Sequence, residues 1–190
     1  MQNPNLGKKI FMEKWMKGLQ RYNSSNKEMS ILERTKVIKI TSDIAMASTR
    51  KSSTFWSQAL LANASQDDSN KTILEHMLGS NSKIVEKASR TLLRMANNSK
   101  KIRSKKIVKK SCMAKRVNRI EYHGLASCVV AKRLVKKRTQ VLKNLVPGGK
   151  YLQNESLIRE ALDYIDSLRV QVDVMRSLAY ASNHFHCQQV

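Results

Sequence analysis

The chain has 190 residues, of which 41% are hydrophobic and 5% aromatic, and its formal net charge is +22 at pH 7. This length and composition can support one domain of modest size together with poorly packed segments, and they argue against a single large core. There is no run of eighteen consecutive apolar residues and no apolar signal core near the N-terminus, so neither a membrane span nor secretion is expected.

The residue types that usually carry catalysis or bind metal form no recognisable pattern. Cys112, Cys128 and Cys187 are widely spaced and include no CxxC pair, which argues against a disulfide framework and against a zinc site. The closest cluster is His184 and His186 beside Cys187, and a metal site there is the less favoured alternative. We therefore predict that the chain is not an enzyme and that it has no catalytic, cofactor-binding or metal-binding residue and no small-molecule ligand.

Residues 1–65 are predicted to form an N-terminal region of amphipathic helices. Apolar residues at helical spacing predict one helix that ends within residues 18–25, a second over residues 28–49 and a third that begins at Phe55. The β-branched residues within 37–41 weaken the second of these predictions, because β-branching lowers helix propensity. Thr54 or Ser53 is the expected N-cap of the third helix.

Residues 66–99 are predicted to be a helical linker region without an assigned function. They begin with the polar stretch QDDSN, and two amphipathic segments follow at 71–82 and 83–99. Such segments either cover a partner or pack loosely on the N-terminal helices.

The charge is concentrated in the middle of the chain. Lys and Arg outnumber Asp and Glu by 15 to 1 over residues 100–138, against 16 to 8 over residues 1–99 and 5 to 5 over residues 139–190. We predict residues 100–131 to be a mobile basic segment that serves nuclear import, with nucleic-acid contact or a solvated linker as alternatives. The candidate import residues are Lys100, Lys101, Lys105, Lys106, Lys109, Lys110, Lys132, Arg133, Lys136, Lys137 and Arg138.

Residues 132–181 contain two apolar-periodic segments on either side of Pro147, Gly148 and Gly149, which is the pattern of two amphipathic helices joined by a loop. The first helix is predicted to be short. In the second, apolar residues recur at spacings of four and three and form a face too wide for these two helices to bury alone, so it requires a partner. The predicted dimerisation residues are Val135, Leu142, Leu145, Leu157, Ile158, Ala161, Ile165, Leu168, Val172 and Met175. Residues 182–190 are predicted to be a tail.

The pattern LxxLVPGG followed by LIREALDYIDSLRVQVDVM resembles the dimerisation domain of basic helix-loop-helix transcription regulators. The match covers roughly residues 128–181. The resemblance implies an all-α fold in which this domain is half of a parallel four-helix bundle. In that family a basic extension of the first helix enters the major groove of DNA.

The basic extension is degenerate in this chain. Aligned on Pro147, the family pattern Glu-Arg-x-Arg-Arg falls on residues 128–132, where Cys128 replaces the base-reading Glu and Val129 and Ala131 replace two arginines. The upstream reading position falls on Gly124. The resemblance is therefore to an atypical member that does not bind DNA.

A second resemblance narrows the group. The stretch DIAMASTRKSSTFWSQALLANAS is similar to the N-terminal region of the plant atypical helix-loop-helix proteins of the IBH1-like group, the increased-leaf-inclination-binding proteins and their relatives. Gln58 stands where this group usually has a basic residue. Trp56 is predicted to form a small local core, with a dedicated peptide-binding site as the less favoured alternative.

Two functions follow as expectations. The resemblance implies a nuclear protein that forms heterodimers with DNA-binding helix-loop-helix activators and blocks their DNA binding, restraining growth or cell elongation, as in brassinosteroid signalling. A homodimer is also compatible with the pattern. The alternative is a nucleic-acid-binding protein that uses residues 100–138 for sequence-independent phosphate contacts.

Overall fold

The computed structural model describes residues 4–25, 29–50, 53–79, 83–97 and 126–187, and all regular structure within these ranges is helical. The longer helices of this part are α1 (Pro4–Ser25), α2 (Ile31–Thr49), α3 (Phe55–Ala64), α4 (Asp68–Leu78), α5 (residues 83–97), α6 (Ala126–Leu145) and α7 (Asn154–Cys187). A turn of 3-10 helix, Gly149–Tyr151, lies between α6 and α7. The all-α prediction is confirmed for these residues. None of the described helices has the length and apolar character required to cross a bilayer.

α2 forms despite its β-branched residues because its start is capped and its inner face is buried. Ser30 Oγ accepts a hydrogen bond from the Glu33 amide at 3.3 Å, and the Glu33 carboxylate accepts one from the Ser30 amide at 3.0 Å, which is a capping box. The buried hydroxyl of Thr41 donates to the carbonyl of Val37 at 2.7 Å, so it leaves no polar group unpaired. Tertiary burial of this face outweighs the low helix propensity of the segment.

A single buried cluster joins the N-terminal helices to α7. Phe11 of α1, Ile44 of α2 and Trp56 of α3 belong to the same cluster as Leu157 and Ala161 of α7. α7 accordingly packs against α1, α2 and α3 as well as against α6. The second helix of the predicted dimerisation domain is thus part of the core of this chain.

Three boundaries differ from the sequence prediction. The stretch 66–70 is not wholly a linker, because α4 already begins at Asp68, with Asp67 as an N-cap that accepts from the Ser69 amide at 3.3 Å. α6 is not short, because it has 20 residues and begins before residue 132. α7 continues past residue 181 to Cys187. Neither α6 nor α7 contains a proline or glycine that would end it earlier.

Candidate dimerisation surface

Two glycines allow the loop between α6 and α7 to lie close to α3 and to the end of α6. Gly148 has φ +72°, and a Cβ at this position would lie 2.8 Å from Phe55 Cε1 and 3.0 Å from Ala59 Cβ. A Cβ on Gly149 would lie 2.8 Å from the carbonyl oxygen of Lys143. The Gly-Gly pair therefore lets the loop turn and lets its backbone approach both α3 and the end of α6.

The structure divides the ten predicted dimerisation residues into two equal groups. Leu157 and Ala161 are only 0% and 5% exposed, and Leu142, Leu168 and Met175 are half-buried against the same core. The other five are 43% to 69% exposed: Val135, Leu145, Ile158, Ile165 and Val172. The chain therefore buries one half of the predicted surface with its own helices and exposes the other half.

The exposed half of α7 forms a stripe along the helix. Ile158, Leu162, Ile165 and Val172 follow one another at spacings of four, three and seven, which places them on one face, and all four are exposed. We call these four residues the exposed stripe. Leu162 was absent from the sequence prediction, although its four-residue distance from Ile158 is a signal that could have identified it. A contiguous apolar face on a surface helix is typical of an interaction site.

The covered face of α7 contacts α2 and α3 through polar groups as well as through the core. The side chain of Asp163 accepts a hydrogen bond from Trp56 Nε1 at 2.9 Å and forms an ion pair with Arg50 at 2.9 Å. Arg50 Nε also donates to Ser167 Oγ at 3.3 Å. Glu160 accepts from the backbone amide of Trp56 at 3.0 Å. We refer to Arg50, Trp56, Glu160, Asp163 and Ser167 as the polar junction.

The N-cap residue of α3 makes no capping hydrogen bond, and the polar junction supplies one instead. Thr54 occupies the N-cap position of α3 but its side chain makes no capping hydrogen bond, contrary to the sequence prediction. The Glu160 carboxylate accepts from an amide of the first turn instead, where negative charge is also favoured by the helix dipole. A residue of α7 therefore stabilises the start of α3.

Trp56 lies at the centre of the polar junction. Its side chain is fully buried, and its ring centroid is 5.1 Å from that of Tyr164. The core to which it belongs is shared with α7 rather than being a small local one. The sequence offered no signal for this contact, because the two partners are more than one hundred positions apart.

Two further contacts extend the covered face toward the C-terminal half of α7. Gln171 Nε2 donates to Ser42 Oγ at 2.9 Å, and Lys8 forms an ion pair with Asp173 at 2.8 Å. The hydrogen bond from Lys8 lowers the pKa of Asp173. Polar contacts from the N-terminal helices are thus distributed along α7 from Glu160 to Asp173.

Burial at this interface shifts two further pKa values. Desolvation raises the pKa of Asp43, with a partial offset from the positive charge of Lys39. Burial also raises the pKa of Tyr164, and the nearby negative charge of Asp43 adds to that effect. Both pKa shifts are therefore consequences of burial between packed helices. No cluster of His, Cys, Asp and Glu suited to a metal ion occurs among the described residues.

α6 carries three of the four predicted degenerate DNA-reading positions and part of the basic charge. Cys128, Val129 and Ala131 lie exposed on this helix, and Gly124 lies outside the described residues. Five import candidates are exposed on α6, namely Lys132, Arg133, Lys136, Lys137 and Arg138. The remaining import candidates lie outside the described residues, namely Lys100, Lys101, Lys105, Lys106, Lys109 and Lys110.

Comparison with known proteins gives a consistent result. The family model "IBH1-like, N-terminal domain" matches residues 5–68, which include all of α2 and α3 and all but the first residue of α1. The chain is 39% identical over 175 residues to "Transcription factor IBH1-like 1" of Arabidopsis thaliana, covering 90% of this chain and 91% of that protein. It is 46% identical over 41 residues to "Transcription factor IBH1" of Oryza sativa subsp. japonica, covering 22% of this chain and 20% of that protein. No solved structure matches the chain significantly.

Proposed function

Since this chain belongs to the IBH1-like family, whose relatives in Arabidopsis thaliana and rice are named transcription factors, we propose that it is a nuclear transcription regulator that pairs with DNA-binding helix-loop-helix proteins. The heterodimer would have a reduced ability to bind DNA, so the chain would act as a repressor of its partner. Restraint of growth or cell elongation is the proposed physiological outcome.

The exposed stripe of α7 carries this proposal. Full burial of a fully exposed aliphatic side chain yields ~1.5–3 kcal/mol. Ile158, Leu162, Ile165 and Val172 are already about half covered, so burial of their exposed parts could yield roughly 3–6 kcal/mol in total. This range overlaps the ~4–15 kcal/mol cost of association. The stripe therefore supports partner binding, and a tight complex requires additional apolar surface.

The degenerate basic region supports the repressor mechanism. Direct reading of DNA requires side chains that donate to or accept from base edges, and Val129 and Ala131 offer no such group, while Cys128 offers only a weak one. A heterodimer with one competent basic region lacks the base contacts of one half-site. Each bidentate base contact contributes ~1–3 kcal/mol, so loss of two would lower specific affinity by roughly tens- to tens of thousands-fold.

A DNA-occupancy titration tests the proposal. The purified chain is added to a helix-loop-helix protein with a complete Glu-Arg-x-Arg-Arg region that is bound to a CANNTG duplex at near-physiological salt. We expect occupancy to fall and the effect to saturate at stoichiometric amounts, whereas the chain alone should not prefer CANNTG over scrambled DNA. The Ile165→Glu variant is the matched control and should leave occupancy unchanged. Unchanged occupancy with excess wild-type chain would refute the proposal.

The exposed cations of α6 favour a second candidate function, which is sequence-independent binding of nucleic acid. Five Lys and Arg side chains between residues 132 and 138 face solvent next to the segment of highest charge density, which suits phosphate contacts without base reading. Such binding should ignore sequence and weaken steeply with salt. Fluorescence anisotropy on scrambled duplexes between 50 and 200 mM salt distinguishes it from partner-dependent effects.

Nuclear localisation is proposed to depend on the same basic segment. Replacing the eleven import candidates with Gln should shift a large fluorescent fusion to the cytoplasm, because import receptors bind exposed cations. Full nuclear retention of that variant in cells without a helix-loop-helix partner would contradict this assignment.

A further inference from the structure

The covered half of the predicted dimerisation surface is occupied by the chain's own N-terminal helices. Leu157 and Ala161 are buried in a core that includes Trp56, and Leu168 packs against that core. A partner that contacts these three side chains therefore has to disturb the core that α1, α2 and α3 share with α7. The exposed stripe remains accessible in the same conformation.

We propose that the N-terminal helices compete with the partner for α7, so that the chain alternates between a closed state and a partner-binding open state. This inference rests on the proposed function and adds the regulation of the same surface. In the closed state only the exposed stripe is available, and in the open state the covered half becomes available too.

The contacts that close the chain suit a reversible interface. Arg50 and Asp163 are 25% and 29% exposed, and the ion pair between Lys8 and Asp173 is more exposed still. Polar groups at such positions are readily hydrated when the interface opens, as in interfaces between mobile domains. Opening also exposes apolar side chains of the shared core, among them Trp56 and Leu157, both 0% exposed in the closed state, and a partner can bury Leu157 again.

Under this competition the affinity for the partner depends on the fraction of molecules that are in the open state. When only a fraction of the molecules can bind, the apparent dissociation constant equals the intrinsic one divided by that fraction. Minor conformations are typically populated at ~0.1–10%, so complete opening should strengthen binding by about tenfold or more. Stabilising the closed state should weaken binding, because the open fraction then falls further.

Charge reversal in the polar junction tests the opening. Arg50→Glu in the full chain brings a carboxylate next to Asp163, which disfavours closure by like-charge repulsion. Arg34→Glu, at an exposed position of α2, the helix whose C-cap is Arg50, is the matched control. The probe is a panel of helix-loop-helix proteins with complete basic regions, with binding measured by calorimetry. We expect about tenfold tighter binding by Arg50→Glu and no change with Arg34→Glu.

A crosslink that holds the chain closed is the complementary test. Lys8→Cys and Asp173→Cys, in a chain with Cys112→Ser, Cys128→Ser and Cys187→Ser, replace two side chains that are in contact. A bismaleimide with a cleavable disulfide then joins α1 to α7. We expect at least about tenfold weaker partner binding, restored by reduction. The same reagent on Glu86→Cys and Arg90→Cys, a pair within α5, is the control and should change nothing.

The outcomes separate the inference from the proposed function. If the wild-type chain binds a panel member, Ile165→Glu abolishes that binding, and neither charge reversal nor crosslinking alters it, competition is refuted and the proposed function stands. If neither the wild-type chain nor the Arg50→Glu variant binds any panel member, the proposed function fails and the inference fails with it. Should Arg50→Glu not fold, the crosslinked chain decides between these outcomes.

Discussion

The indole nitrogen of Trp56 donates a hydrogen bond to the Asp163 carboxylate at 2.9 Å. This bond connects the region matched by the IBH1-like N-terminal domain model to the second helix of the predicted dimerisation domain. The same carboxylate forms an ion pair with Arg50, so one residue of α7 contacts both α3 and the C-cap of α2. The packing of the N-terminal helices and the packing of α7 therefore depend on each other.

Trp56→Phe should destabilise the chain through the loss of this hydrogen bond. The aromatic ring is retained in the core, but Asp163 loses a donor in a half-buried site, at an expected cost of about 1–3 kcal/mol. Trp56→Ala also creates a cavity and should cost about 3–5 kcal/mol. Urea unfolding monitored by circular dichroism measures both values. Equal stability of Trp56→Phe and wild type would indicate that the bond contributes nothing to folding.

Gly148→Ala should destabilise the chain because the substitution combines two penalties. The residue has a left-handed φ of +72°, and the added Cβ would lie 2.8 Å from the ring of Phe55. The backbone strain alone costs about 1–2 kcal/mol, and displacement of α3 adds to it. Gly7→Ala in α1 is the control, because the added Cβ would have no neighbouring atom within 4 Å. This substitution should stabilise the helix by up to about 1 kcal/mol. Thermal unfolding should therefore show opposite shifts of Tm for the two variants.

The sequence predicts the helices and the loop better than their packing. Helical periodicity, the capping signals and the Pro-Gly-Gly connection are local features, and local features determined most helix positions correctly. They also predicted an amphipathic second helix with more apolar surface than its neighbour in the chain could cover. The excess surface has a simple physical explanation, because α7 has one apolar face for the core of its own chain and a second face exposed to solvent.

The assignment of each residue to one of these two faces could not be predicted from the sequence. Leu157 and Ile158 are adjacent and equally apolar, yet the first is 0% and the second 57% exposed. The difference depends on the docking of Trp56 and Arg50 against α7, which joins segments more than one hundred positions apart. A heptad pattern read along one helix contains no information about such a contact. The heptad pattern consequently predicts one surface where the structure has two neighbouring stripes.

Asp43→Asn should change the pH dependence of stability. Burial raises the pKa of Asp43 in the folded chain, so the folded state holds this proton more tightly than the unfolded state does. The resulting stability is fully present below the unfolded pKa and is lost as pH rises through the folded pKa. The stability of Asp43→Asn relative to wild type should therefore increase as pH rises from 4 to 7, as measured by urea unfolding. A difference that is constant or that decreases with pH would contradict this assignment.

Opposite effects are expected for charged substitutions on the two faces of α7. Ile165→Glu lies in the exposed stripe, so the unfolding free energy of the isolated chain should change by less than about 0.5 kcal/mol. Partner binding should nevertheless be lost, because the interface would have to bury an unpaired carboxylate. Leu157→Glu puts the same charge into the core of the chain itself and should prevent stable folding. Calorimetric binding and urea unfolding of both variants measure the two effects separately. Retained binding by a folded Ile165→Glu variant would exclude the exposed stripe as the contact surface, whereas loss of both folding and binding in that variant would mean that the two faces of α7 are not independent.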